Sequence, residues 1–149
     1  YKLNFKAFYK NIQVKHCGWN NQKIKRLYNK NTTSYNSNDV HEDIMTDGLN
    51  QEILKGNVEH YSYHSISEFI IKADRYSTLF ATNNVGKKFS SPRKAFFNGM
   101  YSFFRTYILK QGFRDGYVGL IIAFSHMVTN FYKYIKLYEL NKELKKWIY

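Results

Sequence analysis

The chain has 149 residues, 44% of them hydrophobic, which is enough for one domain with a core and too apolar for a disordered segment. Its 23 Lys and Arg against 11 Asp and Glu give a formal charge of +12, which predicts attraction to polyanions: nucleic acid, an anionic bilayer or phosphorylated substrates. A single cysteine, Cys17, excludes an internal disulfide framework, and no apolar run reaches the eighteen or so residues a spanning helix needs.

Lys, Asn, Tyr and Ile are abundant together, a bias that an AT-rich genome produces, so part of the charge is compositional. The chain begins at Tyr1 with neither an initiator Met nor a charged-then-apolar leader, and is expected to be a fragment. Residues 1–17 are basic and aromatic and suggest a short helix leading into a strand around Ile12 to Lys15. Gly18-Trp19-Asn20-Asn21 reads as a turn. Lys23 to Asn29 alternates polar and apolar, the period of a half-buried strand. An Asn/Ser/Thr-rich loop then leads to Asp39-Val40-His41-Glu42-Asp43-Ile44, an acidic hexamer in a basic chain. After Gly48 and Gly56, two expected breaks, Asn57 to Tyr63 is read as a second strand.

From Ser65 the period becomes helical. Ser65-Ile66-Ser67-Glu68 has capping-box spacing, and Ile66, Phe69, Ile70, Ala73, Tyr76 and Phe80 form the expected stripe, with Gly86 as the stop. Ser91-Pro92 opens a second helix, whose expected stripe is Phe96, Met100, Phe103, Phe104, Tyr107 and Ile108, ending at Gly112. A third begins at Asp115-Gly116 and ends in a stretch that interleaves aromatics with Lys133, Lys136, Lys142, Lys145 and Lys146 beside Trp147.

The hexamer is the strongest candidate for chemistry. An inverting sugar transfer needs a carboxylate to take the proton from the attacking hydroxyl, and Glu42, or else Asp43, is placed for it. It also needs positive charge on the departing diphosphate, commonly a metal on oxygen and imidazole ligands, for which His60 is the candidate. The alternative is a solvated turn or helix start, with Asp39 as a cap and Glu42 three residues on. A zinc site from Cys17, His41, His60 and His64 matches no standard spacing, since His60 and His64 would lie roughly 13 Å apart in one strand at ~3.3 Å per residue. His126 is expected to be a core histidine. The Lys/aromatic tail carries no recognisable nucleic-acid motif, and no nucleic-acid partner is expected; a membrane-surface element and plain core helices with solvated lysines both remain open.

Taken in order, Gly18-Trp19, Lys25-Arg26-Leu27-Tyr28, Val40-His41-Glu42, His60-Tyr61-Ser62-Tyr63 with Ser65-Ile66-Ser67-Glu68, then Lys72, Arg75-Tyr76-Ser77 and Ala81, resemble the C-terminal part of bacterial family-2 glycosyltransferases. The group is that of lipopolysaccharide-core and related surface-glycan enzymes that transfer β-glucosyl units or modify heptose. Tyr107-Ile108-Leu109-Lys110-x-Gly112-Phe113-x-Asp115-Gly116-Tyr117-x-Gly119 is similar to the Y-I-x-K-x-G-F-x-D-G-x-x-G segment of those proteins, and the resemblance runs from about Asn4 to about Asn141.

The resemblance implies a GT-A fold, a nucleotide-diphosphate-sugar donor, a divalent metal (magnesium or manganese) and inversion. By position Glu42 matches the base, with Asp43 as its neighbour; His60 matches a metal ligand and Arg26 borders the donor site. Trp19, His41 and Tyr61 are expected to contact acceptor or support the motif. The family's Asp-x-Asp and its nucleotide-binding βαβ half do not occur in the chain, so this piece alone is expected to be inactive. The expected architecture is α+β: residues 1–64 as the end of a catalytic domain, and residues 65–149 as a helical extension packed on it. That extension is expected to hold the enzyme through its lysines and Trp147 to the inner face of a bacterial inner membrane, on the cytoplasmic side, where a lipid-linked or lipopolysaccharide glycan acceptor is presented. The alternative is a non-catalytic basic helical module that binds anionic membrane or nucleic acid.

Overall fold

The structure, a computed structural model, describes residues 1–20, 22–36 and 43–148. It is α+β: four strands precede residue 64 and the helices follow Ser65. Strand β1 (Lys2–Tyr9) is the centre of the sheet. β4 (Ile53–Tyr63) runs parallel to it along one edge. The other edge is shared end to end by β2 (Ile12–Val14), antiparallel to Ala7–Tyr9, and β3 (Gln22–Lys25), antiparallel to Lys2–Phe5.

Three expectations are corrected here. Residues 2–9 form a strand rather than a short helix, because Leu3, Phe5, Ala7 and Tyr9 alternate and the far end of that face is buried at Ala7 and Tyr9. The strand read over Lys23 to Asn29 stops at Lys25, where its partner β1 begins. Gly56 does not break β4: at φ +107° it forms a bulge where the register steps from Lys2 opposite Ile53 to Asn4 opposite Asn57.

The helices start where their caps predict. Ser65 accepts from the Glu68 amide at the head of α1 (Ile66–Asn84), and the Glu68 carboxylate reaches back to the His64 amide. Ser91 accepts from the Lys94 amide at the head of α2 (Pro92–Phe104), with Pro92 in the first turn. α2 passes into a π-helical turn at Arg105–Leu109, reverses through left-handed Gln111 and a 3-10 turn at Gly112–Asp115, and continues as α3 (Gly116–Ile148). At 33 residues α3 spans roughly 50 Å.

α1 runs alongside α3 in the same direction and α2 returns against it, so α3 lies between them. The faces that meet are not the large apolar stripes. α1 buries Phe69, Ala73, Ser77 and Ala81, and α2 buries Ala95 and Gly99, while Ile66, Ile70, Phe96, Met100, Phe104 and Ile108 stay exposed. Small side chains let the helix backbones approach closely: a Cβ on Gly99 would lie 3.2 Å from the Met127 carbonyl oxygen. Polar bonds cross the same seams, from Asn130 to Ser102 at 2.8 Å and from Ser90 to the Tyr134 carbonyl at 2.6 Å. The sheet docks on one end of this layer through a core of Ala7, Tyr9, Val14, Cys17, Phe69, Val118 and Ile122.

Candidate active site

β3 and its exit carry the first predicted residues. The Lys25 ammonium lies 2.6 Å from Asp43 Oδ2 and donates to the Ile44 carbonyl at 3.0 Å. Ile44 is buried and bridges to Tyr35, and the Asn36 amide donates to the Asp43 carbonyl, so Tyr35-Asn36 and the last two residues of the acidic hexamer are paired, with Asp43 and Ile44 bonded to Lys25 of β3. Arg26 is exposed, with its guanidinium 3.3 Å from the Tyr35 hydroxyl. Beside these groups, at the Lys2 end of β1, lies a cavity of about 250 Å³ lined by Lys25, Tyr28, Thr33, Ile44 and Glu52 among others. His41 and Glu42, with Asp39 and Val40, lie outside the described residues.

Asp43 is poorly suited to take a proton. Its hydrogen bond to Lys25 is the main cause that holds its carboxyl below the usual carboxylate range, and the donated Ile44 amide adds to it. Protonating a carboxylate so held gives up its bond to Lys25, so it binds a proton weakly, whereas an effective base has a pKa nearer the working pH.

His60 stands elsewhere on the sheet. It pairs with Ala7 and presents its ring to the edge of Phe5 at 5.7 Å, five positions along β1 from the Lys2–Lys25 pair, roughly 16 Å at ~3.3 Å per residue. His60 and Asp43 are therefore not brought together. Among the described residues no three His, Cys, Asp or Glu side chains gather as metal ligands. Tyr61, opposite Phe8, stacks on it at 5.2 Å and donates to Glu59.

Trp19 belongs to a second centre, where the sheet meets the helices. It stacks on Tyr63 at 5.6 Å and faces Phe69 and His126; Tyr63 stacks on Phe69 at 3.8 Å, with the Lys72 ammonium 3.9 Å from its ring. The turn before Trp19 is held by Asp115, whose side chain is 4% exposed. It accepts from the Lys15 and His16 amides and, at 2.8 Å, from His16 Nδ1. The Cys17 amide donates to the Lys110 carbonyl, and burial followed by the nearby Asp115 charge pushes the Cys17 thiol up to about 12. His126 is hydrogen-bonded to Thr106 and is a core histidine as expected; burial first, then Lys110 and Lys133, lowers its pKa to about 4. The sequence signal for this centre was the Lys-x-Gly-Phe-x-Asp-Gly-x-x-Gly spacing, which names the residues but not the turn they hold.

The tail lysines divide. Lys136 is paired with Asp74 at 2.6 Å and with Thr78, and Lys133 is half-buried over the Phe80 ring with its pKa lowered by burial. These two face α1. Lys142, Lys145 and Lys146 are exposed, and the side chain of Trp147 lies outside the described residues. No helix among the described residues is long and apolar enough to cross a membrane. No family model matches the chain, and no solved structure matches it.

Proposed function

We propose that the chain is the C-terminal part of an inverting glycosyltransferase that moves a sugar from a nucleotide-diphosphate donor to a lipid-linked or lipopolysaccharide-type glycan acceptor. The observation that supports this is convergence. Three segments of the family resemblance, around Gly18-Trp19, His60 to Glu68 and Tyr107 to Gly119, are distant in sequence yet meet at one junction through Trp19, Tyr63, Phe69 and Asp115.

In this reading Glu42 is the base. Asp43 is committed to Lys25, and Glu42 is the acid that the family resemblance assigns to the acceptor hydroxyl. Arg26 supplies charge toward the donor phosphates from the exit of β3. His60 is the metal ligand that the family resemblance gives to this chain; the described residues do not form a donor set. The enzyme works at the inner face of a bacterial inner membrane.

The test is Glu42→Gln and Asp43→Asn in the complete enzyme, assayed with a panel of nucleotide-diphosphate sugars on lipopolysaccharide-type acceptors. Loss of a general base costs about 10²–10⁴ in rate, so transfer by Glu42→Gln should fall at least about 100-fold while Asp43→Asn stays within severalfold. Full transfer by Glu42→Gln overturns the assignment.

A further inference from the structure

The helical layer is inside out for a protein in water. Its seams are lined mostly by small residues, Ala73, Ser77, Ala81, Ala95, Gly99 and Thr106, with Phe69, Ile122 and Leu137 also buried, while many of its other large apolar side chains are exposed. Ile70 is 64% exposed, Phe96 55%, Phe97 67% and Phe124 55%. Soluble monomers rarely leave such a surface continuous. Here it is continuous: an apolar hollow of about 430 Å³ lies between Ile66 and Ile70 of α1 and Leu120 and Phe124 of α3, and another lies between Phe96 and Met100 of α2 and Phe131 of α3. Val128 lines both hollows, so one face crosses all three helices. Small residues at helix seams, interhelical polar bonds and large apolar groups outside are the pattern of helices packed in lipid.

The charge around this face names its occupant. From Asp74 to Glu139 there are ten Lys and Arg and three carboxylates: Asp115, buried against the His16 turn, Asp74, paired with Lys136, and Glu139. On α3 the stripe of Leu120, Phe124, Val128 and Phe131 continues at steps of three and four to Tyr138, Lys142 and Lys145. There Lys87 and Lys88 from the α1–α2 turn join Lys142 and Lys145 around a cup of about 560 Å³. An apolar face that ends in four lysines, in a segment where cations outnumber carboxylates, fits a surface that is hydrocarbon inside and anionic at its rim.

We propose that this face, formed jointly by α1, α2 and α3, lies in the plane of an anionic bilayer with its phenylalanines below the headgroups and the lysine cup on lipid phosphates. No element crosses the membrane in this arrangement, and the sheet docks on the opposite side, over Val118 and Ile122. The proposal does not rest on the transferase reading; it concerns the helices alone and is read by lipid binding rather than by transfer.

A site-specific fluorophore tests it in the full chain. Native Cys17 is buried with a raised pKa and stays unlabelled, so Phe124→Cys on the apolar face and Asn83→Cys on the opposite side can each carry a nitrobenzoxadiazole probe. With vesicles of phosphatidylcholine mixed with phosphatidylglycerol, the probe at 124 should shift to the blue and brighten severalfold, while the probe at 83 stays unchanged. Ile70→Glu with Phe96→Glu, both at exposed positions and checked for native helicity by circular dichroism, should weaken vesicle affinity at least tenfold. A probe at 124 that remains in water, full binding by the double variant, or self-association through this face in the absence of lipid would each overturn the proposal.

Discussion

His126 is the residue whose environment has the clearest consequence for behaviour in solution. Thr106 holds its ring, Trp19 lies across it, and the nearby cations Lys110 and Lys133 add to the cost of charging it. The unfolded chain takes this proton near 6.5, whereas the folded chain takes it only near 4. Its contribution to stability is therefore complete above about pH 6.5 and drains as pH falls toward 4, by up to about 1.4 kcal/mol per pH unit. Urea unfolding near pH 7 and near pH 5 should show this fall, and His126→Gln should make it shallower; an unchanged slope in that variant would assign the acid sensitivity to the carboxylates instead. Cys17 follows the opposite rule. Its folded pKa is raised, so the stability it carries is present below about 9 and is lost as pH rises toward 12.

At the scale of elements, the turn that joins α2 to α3 depends on close backbone contact. A Cβ on Gly119 would fall on the carbonyl oxygen of Gly112, and one on Gly112 would lie 2.8 Å from Cys17 Sγ. Gly119→Ala must push the first turn of α3 off the 3-10 turn that positions Asp115, and should cost about 3 kcal/mol, the upper end of overpacking penalties, read from the denaturant midpoint.

Helix starts were legible because a cap is a local event: Ser65 and Ser91 do what their spacing implies. Which stripe of α1 and α2 faces inward was not legible, since Phe96 to Ile108 and Ala95 to Thr106 share one period. Periodicity finds an apolar face without saying whether protein or lipid covers it. β1 was misread because its lysines and aromatics hide the alternation of Leu3, Phe5, Ala7 and Tyr9. Of the candidate site, the pairing that holds Asp43 and Ile44 beside Lys25 was invisible beforehand, because the Tyr35–Ile44 bridge joins two segments with no strand pattern of their own.

For the whole molecule, the division of lysines makes electrostatics selective rather than general. Lys133 and Lys136 spend their charge on the Phe80 ring and on Asp74, whereas Lys142 and Lys145 meet Lys87 and Lys88 at the end of the exposed face. Neutralising Lys142 and Lys145 to Gln should weaken binding to anionic vesicles by about tenfold, two charges at ~1 kcal/mol each less screening, and flatten its salt dependence. Neutralising Lys133 and Lys136 should leave vesicle affinity nearly unchanged. Equal losses from the two pairs, measured by vesicle flotation, would mean that charge acts through the total and not through this cup.

The Asp115 contact also dictates an order of events during synthesis. The Lys15 amide finds its acceptor 100 residues further along the chain, and β1 finds its parallel partner only after Ile53. At ribosomal rates of about 5–20 residues per second, the His16 turn waits roughly 5–20 s for Asp115 to be made. Through that interval β1 and the rings of Tyr9 and Trp19 lack the helices that later cover them, so the nascent N-terminal half must be sheltered until α3 begins to emerge.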